Sequence, residues 1–190
     1  MCGILGLAGS QPIRHLAPVA EEAGQAIRHR GPDGEGSFVA DHCIFVHKRL
    51  AIIDGRGGVQ PLSSEDGRYT VMHNGEIYNY AELMRGLKDR GHRFRTSSDT
   101  EVLVHLFEEE GPACVSRLRG MFAFAIWDDR ERRLFCARDP LGIKPFHYTL
   151  LPDGTLIFAS EIKAILATKL LGADPDPWAL REYLAFKFTL

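Results

Sequence analysis

The residue whose position offers the most chemistry is Cys2. Once Met1 is removed, which a small neighbouring side chain permits, Cys2 carries both a thiol of pKa ~8.5 and an α-amino group of pKa ~7.7–8.0. An amine with that pKa is matched to take the thiol proton near neutral pH, so nucleophile and base come from one residue without a separate histidine. With Met1 in place the same nitrogen is an amide and has no such role. The other chemistry-bearing patterns read more plainly. Asn74-Gly75 has the composition of a hairpin turn. Glu101, His105 and Glu108 share one helical face, but Val102, Leu103, Leu106 and Phe107 occupy the opposite side, so the first group reads as a solvated face and not as metal ligands. His42 and His47 are an odd number of residues apart and fall on opposite faces of a strand. Gly31, Gly34 and Gly36 do not complete G-x-G-x-x-G, because Val39 stands where the third glycine belongs, and no G-x-x-x-x-G-K-[ST] phosphate loop occurs.

These residues must be positioned by an ordinary globular chain. Its 190 residues suit one compact domain that buries roughly 70% of its unfolded surface. Hydrophobic residues at 45% and charged residues at 25% exclude disorder and a disulfide-stapled miniprotein. With 23 Lys+Arg against 25 Asp+Glu there is no basic surplus to track a phosphate backbone, which argues against nucleic acid as a partner. The longest apolar run, residues 121–127, falls far short of the ~20 residues of a membrane span. The N-terminus lacks a cationic leader, and its apolar stretch 4–8 is too short for a secretory signal, so a cytoplasmic protein with reduced thiols is expected. Cys43, Cys114 and Cys136 have no paired spacing and read as small buried hydrophobes.

Periodicity and turn residues predict a strand over 2–8, then a helix over 16–29 stopped by Arg30-Gly31-Pro32-Asp33-Gly34. Paired strands follow over 37–39 and 43–47, and a strand over 69–73 that ends at Asn74-Gly75. Two helices open with capping boxes, Asn79 with Glu82 and Ser98 with Glu101. The second half predicts strands over 121–127, 133–138, 146–150 and 156–160, a short helix capped by Ser160 running to 166, and a helix opened by Pro177 reaching 186. Grouped strands argue for an α+β domain with antiparallel sheets, and the apolar strands at 4–8 and 121–127 for sheets covered on both faces.

Nine segments then carry a resemblance: Met1-Cys2-Gly3-Ile4, Arg28-His29-Arg30-Gly31-Pro32-Asp33, residues 47–54, Gln60-Pro61-Leu62, residues 74–79, Ser98-Asp99-Thr100-Glu101, residues 120–124, residues 138–145 and Ala159-Ser160-Glu161-Ile162-Lys163. In this order the chain resembles, over about residues 2–168, the glutaminase domain of glutamine-hydrolysing asparagine synthetases. These are class II glutamine amidotransferases of the N-terminal nucleophile hydrolase superfamily. The resemblance implies a four-layer αββα sandwich of two antiparallel sheets. It implies that Cys2 attacks the side-chain carboxamide of L-glutamine, giving a γ-glutamyl thioester and ammonia, with Asn74 and the Gly75 N–H around the oxyanion. It implies Arg49 for the substrate α-carboxylate, Asp99 and Glu76 for its α-ammonium, and Ile52 and Ile53 along the pocket. Asp99 also falls at a helix N-terminus, whose dipole would keep the carboxylate ionised. Arg28, Arg30 and Asp33 are expected to support the site structurally.

By the same resemblance, residues 1–168 form the glutaminase domain and 169–190 begin a connector to an ATP-pyrophosphatase synthetase domain whose S-G-G-x-D-S loop does not occur here. ATP and magnesium would belong to that domain, and this one needs no cofactor or metal. The expected partners are L-glutamine and the synthetase domain, with no nucleic acid and no membrane; a homodimer is left open. Two other readings stand beside it: a catalytically silent interaction domain, against which Cys2 argues, and a glutaminase domain serving an acceptor other than aspartate.

Overall fold

The computed structural model describes residues 1–55 and 57–188. In chain order the elements are β1 (Gly3–Ala8), α1 (Ala17–Gly24), β2 (Gly34–Val39), β3 (Cys43–Arg49), β4 (Leu62–Ser63), β5 (Tyr69–Ile77), α2 (Tyr80–Asp89), α3 (Asp99–Glu110), β6 (Gly120–Asp128), β7 (Arg133–Arg138), β8 (His147–Leu150), β9 (Leu156–Ala159), α4 (Ile162–Ala167) and α5 (Pro177–Phe186). They make two antiparallel sheets, one ordered β2-β3-β1-β9-β8 and the other β4-β5-β6-β7.

Strand alternation sorts the apolar side chains into three cores, and three cores define four layers. Leu5 and Leu7 of β1, with Ile44 and Val46 of β3, pack against Ala20 and Ala23 of α1 and Ala164 and Ile165 of α4. The intervening residues of the same strands, Ile4, Ala8, Cys43 and Phe45, meet Met72, Ala125 and Trp127 of the second sheet. On that sheet's far side Val71, Ile77, Phe124 and Ile126 pack on Leu83 and Leu87 of α2 and Val102, Leu103 and Leu106 of α3. The result is the expected helix–sheet–sheet–helix sandwich. Gly6 leaves room for the Phe158 ring of the neighbouring strand β9, which would lie 2.2 Å from a Cβ there.

Several local expectations are corrected. The helix over 16–29 is α-helical only to Gly24, and Gln25–Arg30 tighten into a 3₁₀ segment. The Asn79 side chain does not cap α2; it bonds Arg117 O and Arg119 N instead, tying the start of α2 to the entry of β6. Ser98 does cap α3 through Thr100 N, but Glu101 turns away and accepts from Arg95 N, Thr96 N and the Thr96 hydroxyl. Glu101 and His105 are buried, so their face of α3 is not solvated: the 92–96 segment covers it. Ser160 caps no helix, because its hydroxyl accepts from Ile4 N across the sheet. Cys43 and Cys114 are buried as expected, whereas Cys136 is only partly so.

Candidate active site

Cys2 shares its parity with Ile4 and Ala8, the β1 residues that face the second sheet, and Asn74 shares its parity with Met72 on β5. Both therefore turn toward the space between the sheets, and one pocket opens there. Cys2, Arg49, Ile52, Ile53, Asn74, Gly75, Glu76 and Asp99 all line it. Met1 lines it too, so removing that residue would both free the Cys2 amine and widen the cavity.

The Cys2 Sγ accepts from Leu50 N at 3.4 Å and faces Leu50 O at 3.6 Å. Burial pushes its thiol pKa up, and the Leu50 contact offsets only part of this, so a proton acceptor is needed for attack near neutral pH. Its backbone is fixed by the segments whose role the sequence did not disclose. Arg30 Nε donates to Cys2 O at 3.0 Å while its Nη1 reaches Glu161 at 2.9 Å. Asp33 accepts from Ala51 N at 2.8 Å, and a Cβ on Gly31 would lie 2.2 Å from the Lys48 carbonyl carbon. The support expected of Arg30 and Asp33 is thus a clamp on both walls beside Cys2.

Glu161 is the hub of that clamp, also taking His29 and Lys163 at 2.9 Å each. Burial raises its pKa, but donors on Lys163, Arg30 and His29 outweigh this and hold it to about 2. A carboxylate with a lowered folded pKa stabilises fully above its unfolded value and loses that contribution as pH falls toward 2. Glu161→Gln is therefore expected to cost about 1–2 kcal/mol at pH 7 once solvent screening is allowed for. Urea melts of both proteins should show the gap narrowing below pH ~4.5; a gap independent of pH would contradict this account of Glu161.

At Asn74-Gly75 the hairpin reading fails, because β5 continues to Ile77 and pairs Asn74 with Ala123 and Gly75 with Phe122. Asn74 is buried, and neither its Nδ2 nor its Oδ1 has a hydrogen-bond partner in the protein. Gly75 sits at φ +159°, where a Cβ would lie 2.1 Å from Met121 O, so the neighbouring strand alone requires glycine. Amides two residues apart along a strand point to the same edge. That of His73 is taken by Gln60 Oε1 at 2.6 Å and that of Ile77 by Asp99 Oδ2 at 2.9 Å. The Gly75 N–H lies between them on that same edge, beyond the two-residue β4.

Arg49 projects from the end of β3 with its fork on backbone carbonyls, Gly55 O at 2.9 Å and Asp54 O at 2.5 Å. Binding a carboxylate there exchanges or extends these bonds. Asp99 is where the sequence placed it, at the first position of α3. Burial raises its pKa, and the bonds from Ile77 N and Thr100 N and from the Ser98 hydroxyl offset part of this.

Among the pocket residues that had no assigned role are Gln60, His73, Thr100 and Lys144. Gln60 Nε2 donates to Thr100 Oγ1 at 3.1 Å, and that hydroxyl lies 3.2 Å from His73 Nδ1. Lys144 is brought in by Asp139, whose carboxylate accepts from Phe122, Ile143 and Lys144 N–H groups, and by Arg138, which holds Lys144 O at 2.6 Å. The Leu141-Gly142-Ile143-Lys144-Pro145 signature was visible in the sequence, but its lysine's inward turn depends on this carboxylate.

Comparison with known proteins adds independent findings. A family model described as a glutamine amidotransferase domain matches residues 1–190. The chain is 44% identical over 192 residues to asparagine synthetase (glutamine-hydrolyzing) 1 of Bacillus subtilis (strain 168), covering 100% of this chain and 30% of that protein. It is 45% identical over 169 residues to asparagine synthetase (glutamine-hydrolyzing) 3 of Arabidopsis thaliana, covering 87% of this chain and 28% of that one. It thus spans about 30% of the length of these relatives. Among solved structures, glutamine phosphoribosylpyrophosphate amidotransferase from B. subtilis, complexed with ADP and GMP, matches with a TM-score of 0.72 at 26% identity, covering 88% of this chain and 44% of that one.

Proposed function

The chain belongs to the glutamine amidotransferase domain family, and from that premise we propose that it hydrolyses L-glutamine to glutamate and ammonia at Cys2. The observation that carries this reading is the Asn74 side-chain amide, buried and without a protein partner in the pocket that Cys2 lines. Leaving a buried amide unsatisfied costs about 1–3 kcal/mol, a cost that a ligand oxygen would relieve.

In the proposed reaction the free α-amine of Cys2 takes the thiol proton, and Sγ bonds to the carboxamide carbon. The oxyanion is received by Asn74 Nδ2 and the Gly75 N–H. The C–N bond then breaks, the α-ammonium returns its proton to the leaving nitrogen, and ammonia departs from a γ-glutamyl thioester. Water attacks that thioester with the amine as base, releasing glutamate and restoring the thiol. Arg49 receives the substrate α-carboxylate, Asp99 and Glu76 its α-ammonium, and Ile52 and Ile53 the pocket wall. Nucleophile, base and oxyanion donors all come from the chain, so this chemistry calls for no cofactor. A thiol nucleophile also suits the reducing cytoplasm.

The test is release of glutamate and ammonia from glutamine by protein whose intact mass shows Met1 removed. Asn74→Ala is expected to lower kcat by about 10²–10³, as removal of one oxyanion donor does in a comparable hydrolase. An unchanged kcat would remove Asn74 from the site, and no turnover by processed protein would overturn the reading.

The ammonia acceptor lies in the finer part of the proposal. Helix α5 has no buried residue, and Trp178, Leu184 and Phe186 are exposed on it, which supports reading 169–190 as a connector to a synthetase domain. ATP and magnesium would serve that domain, which would amidate aspartate as the relatives' names indicate. The Cys2 pocket disfavours a silent interaction domain.

A further inference from the structure

On the far side of α3 from the sheet, three side chains converge away from the glutamine pocket. His92 Nδ1 lies 3.1 Å from His105 Nδ1, His105 Nδ1 lies 2.7 Å from Glu108 Oε2, and His92 Nδ1 lies 3.6 Å from the same oxygen. A tetrahedral zinc ion with bonds of 2.0–2.1 Å has ligand–ligand edges of about 3.3–3.4 Å, and the separations of 2.7, 3.1 and 3.6 Å bracket that value, so small side-chain shifts would make these atoms one face of such a polyhedron. Among the described residues it is the one group of three side chains arranged in this way. We propose that His92 Nδ1, His105 Nδ1 and Glu108 form a three-ligand site for a divalent ion of the zinc class.

Proton arithmetic supports an ion at that point. Without one, a single proton on His105 Nδ1 must serve both Glu108 and the His92 lone pair. His105 Nε2 is then a buried lone pair that faces Glu101 Oε1 at 3.8 Å, with no hydrogen-bond partner. With an ion on Nδ1 the proton moves to Nε2 and points at that carboxylate. His92 is arranged likewise, its Nε2 lying 3.0 Å from Glu109 Oε1. A carboxylate behind each ligating imidazole is the arrangement that fixes tautomer and ring in metal sites. The local charge agrees, since Glu101, Glu108 and Glu109 surround the point, and Arg90, which lines the same cleft, is paired with Glu109. The remaining coordination positions face a surface cleft that Glu65 and Asp66 also line.

Such an ion would tie the segment after α2 to the middle of α3. It would sit about 9–14 Å along that helix from Asp99 at the glutamine pocket, and it takes no part in the proposed reaction. The experiment uses the whole chain, metal-stripped and reduced, titrated with zinc by calorimetry and with cobalt by absorbance. The expected result is one ion per chain, with visible ligand-field bands and no sulfur-to-cobalt charge transfer. His92→Ala and Glu108→Gln should each weaken binding at least about 100-fold, and Glu109→Gln about 10–100-fold. His92 sits near the surface, so His92→Ala should fold as the parent does, which its unfolding curve without metal checks. Zinc should raise the parent's Tm and leave that of His92→Ala unmoved. Absence of binding, a thiolate band, or parent-like affinity in both His92→Ala and Glu108→Gln would overturn the site.

Discussion

Replacing Cys2 by alanine is expected to abolish glutamine hydrolysis, with a loss of at least about 10⁴-fold in kcat, the scale on which covalent hydrolases lose turnover without their nucleophile. No other cysteine can substitute. Burial pushes the thiols of Cys114 and Cys136 up to about 12 and that of Cys43 well above its ordinary value, and none of the three lines the pocket. Glutamine binding should persist, because Arg49, Glu76 and Asp99 are untouched; KM-independent binding by calorimetry separates the two effects. A chain that keeps Met1 should be equally inactive with its thiol intact, because its Cys2 nitrogen is an amide. Turnover surviving in processed Cys2→Ala would remove the thiol from the reaction. Turnover by a homogeneous Met1-retaining sample would instead remove the amine.

Stability should fall as the pH drops below about 6.5. His47 and His73 are buried with pKa values lowered to about 3, in both chiefly by loss of solvation and for His73 also by the charge of Lys144. Each has one ring nitrogen without a partner, Nδ1 of His47 and Nε2 of His73, so neither is prepared to hold a second proton. The unfolded chain protonates both below pH ~6.5, while the folded chain does so only near 3, so stability is present above 6.5 and falls as the pH drops. Two protons taken up on unfolding give a slope of about 2.7 kcal/mol per pH unit, which consumes a typical domain stability within a few units. Urea unfolding measured from pH 7 to 5 should show the slope rising toward this value at the acid end, and His47→Gln should roughly halve it. A stability that is flat across that interval would mean that the two imidazoles are solvated.

Where apolar runs determine structure, the strands were legible: β7 over 133–138 and α5 over 177–186 fall where periodicity and Pro177 put them. The two-residue β4 has too short a pattern to detect. Asn74-Gly75 misleads because turn propensity is local, whereas β6 supplies a partner for every residue of β5. Glu101 and His105 mislead for a related reason: helical periodicity identifies the face that meets the sheet, but not that residues 92–96 fold back over the other. Of the eight site residues, Cys2 was singled out by its position and the other seven were found through the resemblance to a family, and the structure brings all eight to one pocket. Lys144 was missed because its position depends on Asp139 gathering backbone amides from a loop and a neighbouring strand.

The place of β1 has a consequence in time. It precedes every other strand in chain order, yet it lies in the middle of its sheet, between β3 and β9, and Ile4 is bonded in both directions to Ser160. One edge of that strand can pair with β3 early, but the other waits until more than 150 residues have followed it, as the 156-residue separation of Ile4 and Ser160 shows. Such distant pairing forms late, because the loop must close before the contact is rewarded. Order of synthesis and order of assembly are thus opposed. The central place of β1 is therefore completed only when β9 takes its remaining edge.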